Sequence, residues 1–171
     1  MSMYDKLVAA GIKVSPKPEK IEYKNYNMTM KITNAFKFLN LIEEYNNRSN
    51  SAPDKNTFIM INNSIIINYE RLCEAIKDIL NDIAIKENIT NISPNRGLRE
   101  LIRHTASILK VSDSTLNAIT KLTTRNEAVH DYINADYYDD KVLTDVTNDV
   151  LEYRTYLECI QAYLKNNSMI K

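Results

Sequence analysis

The chain has 171 residues, of which 44% are hydrophobic and 26% charged, the composition of a soluble chain with enough apolar material for one core. Lys plus Arg equals Asp plus Glu at 22 each, so a uniformly basic nucleic-acid coat is excluded, although a local basic patch is not. Only Gly11 and Gly97 are glycine, which excludes glycine-rich phosphate loops and argues against an all-β fold with its many tight turns.

Residues 1–27 read as an N-terminal extension and linker. Tyr4–Ala10 has the look of a short helix stopped by Gly11, and Ser15-Pro16-Lys17-Pro18 forbids regular structure. The apolar run Leu7–Ile12 is too short and badly flanked for a signal peptide. Apolar steps of three and four through Met28, Ile32, Phe36, Leu39, Ile42 and Tyr45 predict an amphipathic helix over about 28–47. A broader stripe, Ile65, Tyr69, Leu72, Cys73, Ile76, Ile79, Leu80 and Ile83, predicts a helix over 57–87. The β-branched start of that stretch is strand-like locally, but the stripe runs through it without a breaker. Its surplus apolar surface points to burial in a bundle or at a dimer interface.

Ser93-Pro94 reads as an N-cap and first helical residue, opening a helix to about Lys110 with Leu98, Leu101, Ile102 and Leu109 inward. Ser112-Asp113 opens another, with Leu116, Ile119 and Leu122 inward; Thr123-Thr124 either continues it or caps a new helix carrying Arg125–Tyr132. Asp139-Asp140 opens the last, about 140–165, with Val142, Val146, Val150, Tyr153, Leu157, Ile160 and Leu164 on one face. Four or five helices with short connections predict an all-α antiparallel bundle. No stretch approaches the 18 apolar residues of a membrane span. Cys73 and Cys159 stand far apart and read as small core residues in a reducing, cytosolic setting, with neither a disulfide framework nor a zinc site.

Chemistry concentrates around one of the two histidines. His104 has no carboxylate or thiol at reacting spacing and reads as structural. His130 lies in Thr123-Thr124-Arg125-Asn126-Glu127-Ala128-Val129-His130-Asp131-Tyr132. On a helix Asn126 and His130 share a face, and the long Arg125 side chain can fold back toward the same rim. A cation, an amide and an imidazole without a metal-ligand set suit RNA cleavage. A base takes the 2′-hydroxyl proton, an acid protonates the leaving 5′-oxygen, and a guanidinium grips the charged phosphate. DNA lacks the 2′-hydroxyl. The bland alternative makes Arg125 and His130 mutually satisfied structural groups.

Arg125-Asn126 with His130 resembles the R-x-x-x-x-H motif of the HEPN superfamily, and Tyr132 extends the likeness to the R-x-x-x-x-H-x-Y form of HepT-like toxins. The resemblance spans about 28–166. It implies a HEPN-like helical domain and a metal-independent endoribonuclease with no cofactor, acting as a homodimer with both motifs lining one cleft. It further implies catalytic Arg125 and His130, a supporting Asn126, and a toxin–antitoxin or phage-defence setting. In HepT-like systems a partner nucleotidyltransferase transfers AMP to the motif tyrosine, here Tyr132. The N-terminal 27 residues depart from a minimal HepT-like toxin and leave the subfamily and the antitoxin open. Some HEPN proteins are inactive scaffolds, so a non-catalytic module binding a protein or nucleotide partner is the alternative.

The charge map adds a possible RNA path. From Pro94 to His130 six cations face three anions, and Arg96, Arg99 and Arg103 form one helical stripe able to track a phosphate backbone. A solvated face with Glu100 as partner explains the stripe equally well. After the motif, Asp131, Asp136, Asp139, Asp140, Asp145 and Asp149 are opposed only by Lys141, and read as caps, solvated surface or a dock for a basic partner. Tyr137-Tyr138, placed in an interhelical loop, offer stacking surfaces for bases or ordinary packing.

Overall fold

A computed structural model describes residues 20–89, 97–123 and 135–171, with side chains described from Asn27, up to Lys121, and again from Leu143. The described residues are helical and contain no strand, an all-α bundle as expected. In chain order they form α1 (Lys20–Ser49), α2 (Lys55–Lys86), α3 (Leu98–Thr105), α4 (Asp113–Ile119), a 3₁₀ turn (Thr120–Thr123) and α5 (Ala135–Asn166).

Three helices of 30 to 32 residues, each about 45–48 Å long at 1.5 Å per residue, frame the molecule. α1 and α2 form a hairpin. Ser49 Oγ donates to Asn62 Oδ1 at 3.4 Å near the turn, and Lys31 pairs with Asp82 at 2.7 Å far from it. α5 lies antiparallel along α1. Thr147 Oγ1 donates to Asn46 Oδ1 at 3.3 Å, and the Arg154 guanidinium forks onto both Glu43 carboxylate oxygens at 3.1 and 2.5 Å and reaches Asn40 at 2.9 Å. α2 and α5 therefore run in the same direction. The chain between them returns through α3, which packs on α2, and α4, which packs on α5.

The stripes read from the sequence form the core. Ile32, Leu39 and Ile42 of α1 meet Tyr69, Leu72, Ile76, Ile79, Leu80 and Ile83 of α2 and Tyr153, Leu157, Ile160 and Leu164 of α5, each at most 2% exposed. Tyr156, absent from the expected stripe, is fully buried, and Tyr163 nearly so. Each fully buried aliphatic side chain contributes about 1.5–3 kcal/mol by leaving water. Beyond the expected end at 166, Ile170 also joins the core.

Local chemistry sets the helix boundaries. Asp54 caps α2, accepting from the Thr57 amide at 2.8 Å, and that bond holds the Asp54 carboxyl below its ordinary pKa. Ser112 caps α4 from the position expected, accepting from the Thr115 amide at 3.3 Å. Three helix ends close with the same pair of bonds. Ile89 N donates to Ala84 O, Val111 N to Ala106 O and Met169 N to Leu164 O at 2.8–3.1 Å, with the preceding residue bonding three back. These are Schellman ends. The residue in the left-handed region is Asn88 (φ 52°), Lys110 (φ 55°) or Ser168 (φ 53°), never glycine. The residue after each, Ile89, Val111 or Met169, packs against the core and locks the turn.

Some boundaries differ from expectation. α1 begins at Lys20, so it crosses the 27/28 boundary set by the first periodic apolar residue. α5 begins at Ala135, so Asp139-Asp140 lie inside it rather than before it. Tyr137-Tyr138 are helical residues of α5, not loop residues. α3 ends at Thr105, and turn backbone carries the chain to the Lys110 closure. The helix start at Ser93-Pro94 and the reading of Tyr4–Pro18 lie outside the described residues.

Candidate functional site

Arg125, Asn126, His130 and Tyr132 belong to 124–134, which lies outside the described residues; so do Arg96, Glu127 and Asp131. The described structure gives the two chain ends between which that segment runs. It leaves the 3₁₀ turn at Thr123 and enters α5 at Ala135.

The elements on either side of that segment are joined farther along α5. Two carboxylates one turn apart on α5 reach back to the preceding elements. Asp149 takes the Lys121 ammonium at 2.7 Å, and Glu152 accepts from the Thr115 hydroxyl at 2.6 Å. Thr115 is buried and also takes a hydrogen bond from Ser112 Oγ at 2.9 Å, so the start of α4 and its cap belong to the same network. The hydrogen bond that Lys121 donates to Asp149 raises the Lys121 pKa above its ordinary value, with burial opposing. Asp149 is one of the acids that follow the motif, read from the sequence as caps, solvated surface or a dock for a basic partner. It is instead committed to Lys121, and its side chain is only 15% exposed.

Two of the three arginines of the expected stripe are described. Arg99 and Arg103 are exposed on α3, four residues apart and so on one face. His104 and Lys110 are exposed beside them, and α3 packs against the 3₁₀ turn that leads into 124–134. The helix that carries Arg99 and Arg103 and the origin of the motif segment are thus neighbours. His104, read as structural, is a surface residue.

Other chemistry can be placed quickly. Cys73 is buried and Cys159 half-buried, neither in a disulfide among the described residues, and burial pushes the Cys159 thiol pKa up. Among the described residues no group of histidine, cysteine and carboxylate side chains could hold a metal ion, and no helix is long and apolar enough to cross a membrane. The Tyr153 and Tyr156 hydroxyls are buried without a hydrogen-bond partner. Tyr156 approaches Thr105, but the Thr105 hydroxyl turns to the Leu101 carbonyl at 2.7 Å.

Sequence reasoning missed the two α5 carboxylates as braces. Glu152 and Asp149 lie 37 and 28 residues from their partners, and no local spacing signals such a pair. Tyr156 and Tyr163 had a usable signal, since both fall at helical spacing beside Tyr153, Leu157 and Ile160.

Comparison with protein-family models, with curated proteins and with solved structures finds no match.

Proposed function

We propose that the protein is a metal-independent endoribonuclease of the HEPN type, serving as a toxin of a toxin–antitoxin pair or as a phage-defence effector in the cytoplasm. The observation that carries the reading is the sequence Arg125-Asn126-x-x-Val129-His130-x-Tyr132, set between a 3₁₀ turn and the last long helix of an all-α bundle. In this reading His130 moves the proton of the attacking 2′-hydroxyl or of the leaving 5′-oxygen. Arg125 neutralises the charge that builds on the phosphate, and Asn126 holds the substrate or the imidazole by hydrogen bonds. One histidine serves as base and its symmetry mate as acid, so a homodimer completes the site. Arg96, Arg99 and Arg103 guide the RNA backbone, and Tyr132 accepts AMP from a nucleotidyltransferase antitoxin.

The exposure of Arg99 and Arg103 and the packing of α3 on the 3₁₀ turn support a path for a polyanion toward the motif. The bonds of Lys121 and Thr115 to α5 support a fixed point of departure for the motif segment, which helps catalysis by positioned groups.

Purified protein should cleave RNA in the presence of EDTA and leave 2′,3′-cyclic phosphate and 5′-hydroxyl ends, with 2′-deoxy substrates untouched. His130→Ala should lower the rate by roughly 10²–10⁴, the size of a general acid–base contribution. Full activity in that variant removes His130 from the mechanism. Absence of cleavage, together with unfolding of Arg125→Ala, favours the non-catalytic binding module instead.

A further inference from the structure

The first turns of α2 expose apolar side chains that the bundle does not use. Phe58 is 45%, Ile59 44%, Met60 69% and Ile67 48% exposed. Met60, Asn63 and Ile67 step by three and four along one outward row, opposite the buried row of Ile65, Leu72 and Ile76. A solvated helix face is normally polar, so this row asks for a cover.

The charge pattern says what covers it. From Asn56 to Tyr69, about 20 Å of helix, there is no charged residue; charge resumes at Glu70 and Arg71. At a two-fold axis each residue meets its own copy, so a charge near the axis meets like charge. A stretch free of charge, whose outward row sets neutral Asn63 between Met60 and Ile67, is self-complementary. An asparagine in such a row bonds to its symmetry mate and sets register.

Position completes the argument. The Ser49–Asn62 and Asn46–Thr147 hydrogen bonds put the start of α2 and the first half of α5 at the same end of the bundle. That is the end at which 124–134 joins α5.

We propose that the outward face of α2 around Met60, Asn63 and Ile67 is the surface on which a second copy of this chain docks, in a two-fold dimer that brings the two motif-bearing ends side by side. The link to catalysis rests on the nuclease reading; the surface itself does not.

Light scattering on the eluted full-length protein should give about twice the 19.8 kDa chain mass, unchanged between low and high salt because no ion pair holds the interface. Ile67→Glu should shift the protein wholly to monomer with its helical circular dichroism intact, and Met60→Gln, a milder change, should weaken the dimer. Leu151→Glu, at a 72% exposed apolar residue on α5, should leave the dimer unchanged. A monomeric wild type, a dimer that salt dissolves, or a dimer that survives Ile67→Glu overturns the proposal. Its fate separates from that of the nuclease reading. A dimer that cuts no RNA upholds the surface and sinks the chemistry, whereas RNA cleavage by a dimer that survives Ile67→Glu sinks the surface and upholds the chemistry.

Discussion

Replacing Lys110 by glycine should stabilise the protein. Lys110 sits at φ 55°, where the Cβ of an L-residue crowds the neighbouring carbonyl at a cost of roughly 1–2 kcal/mol. Its side chain is exposed and forms no ion pair among the described residues, so little else is lost. Glycine gains extra freedom in the unfolded chain, which returns about 0.5–1 kcal/mol of the benefit. The net is a gain of about 0.5–1 kcal/mol, or a rise in Tm of about 1–4 °C for a chain of this length. Urea unfolding and differential scanning calorimetry on the wild type, Lys110→Gly and Lys110→Ala would measure it. The alanine variant keeps the crowded Cβ and should show no gain, while Lys110→Val should lose stability because branching worsens the clash. Ser168→Gly should repeat the gain, and Asn88→Gly should show a smaller one, since asparagine tolerates this region. A Lys110→Gly protein less stable than wild type would refute the Schellman closure at Val111.

Asp54→Ala should lower Tm, whereas Asp54→Asn, which keeps the capping oxygen, should largely spare it. Because the cap lowers the Asp54 pKa, its contribution is present above the ordinary carboxylate pKa and fades as pH falls through the folded value; that acid-side loss should be absent in Asp54→Asn when Tm is followed against pH. Burial raises the phenol pKa of Tyr153, Tyr156 and Tyr163 above the usual 10.0, for Tyr163 with Glu87 adding to it, so stability present below that value should fall as pH rises beyond it. Phenolate absorbance should then show Tyr153, Tyr156 and Tyr163 ionising only with unfolding. Tyr156→Phe removes a buried hydroxyl without a partner and should leave stability unchanged or raise it by under about 1 kcal/mol in chemical denaturation.

The long helices were legible because their apolar residues repeat at one period over many turns. The stripe from Ile65 to Ile83 outweighs the strand-like propensity of Phe58–Ile67, and α2 forms throughout. Helix starts were less legible. Lys20–Asn27 sets only Ile21, Tyr23 and Tyr26 among polar residues, too few for a clear period to show, although Pro18 two residues ahead suits a helix entry. Asp139-Asp140 looked like a cap because acids favour both a cap and the early turns that follow it. The Schellman ends hid for want of glycine, the usual marker. The site divides the same way. The motif is a local pattern and reads directly from the chain, but the Lys121–Asp149 and Thr115–Glu152 pairs join distant residues, and only the folded arrangement brings them together.

Because α1 runs antiparallel to both α2 and α5, Asn27 and Met28 border the same 520 Å³ groove as Met169. The entry to α1 and the exit from α5 are therefore neighbours, almost a bundle length from where 124–134 joins α5. An affinity handle or a fluorescent protein attached after Lys171 would project from that far end, leaving the proposed cleft and the α2 face unobstructed. A short linker from Lys171 to the start of α1 would also permit a circularly permuted version of residues 20–171 opened between α1 and α2.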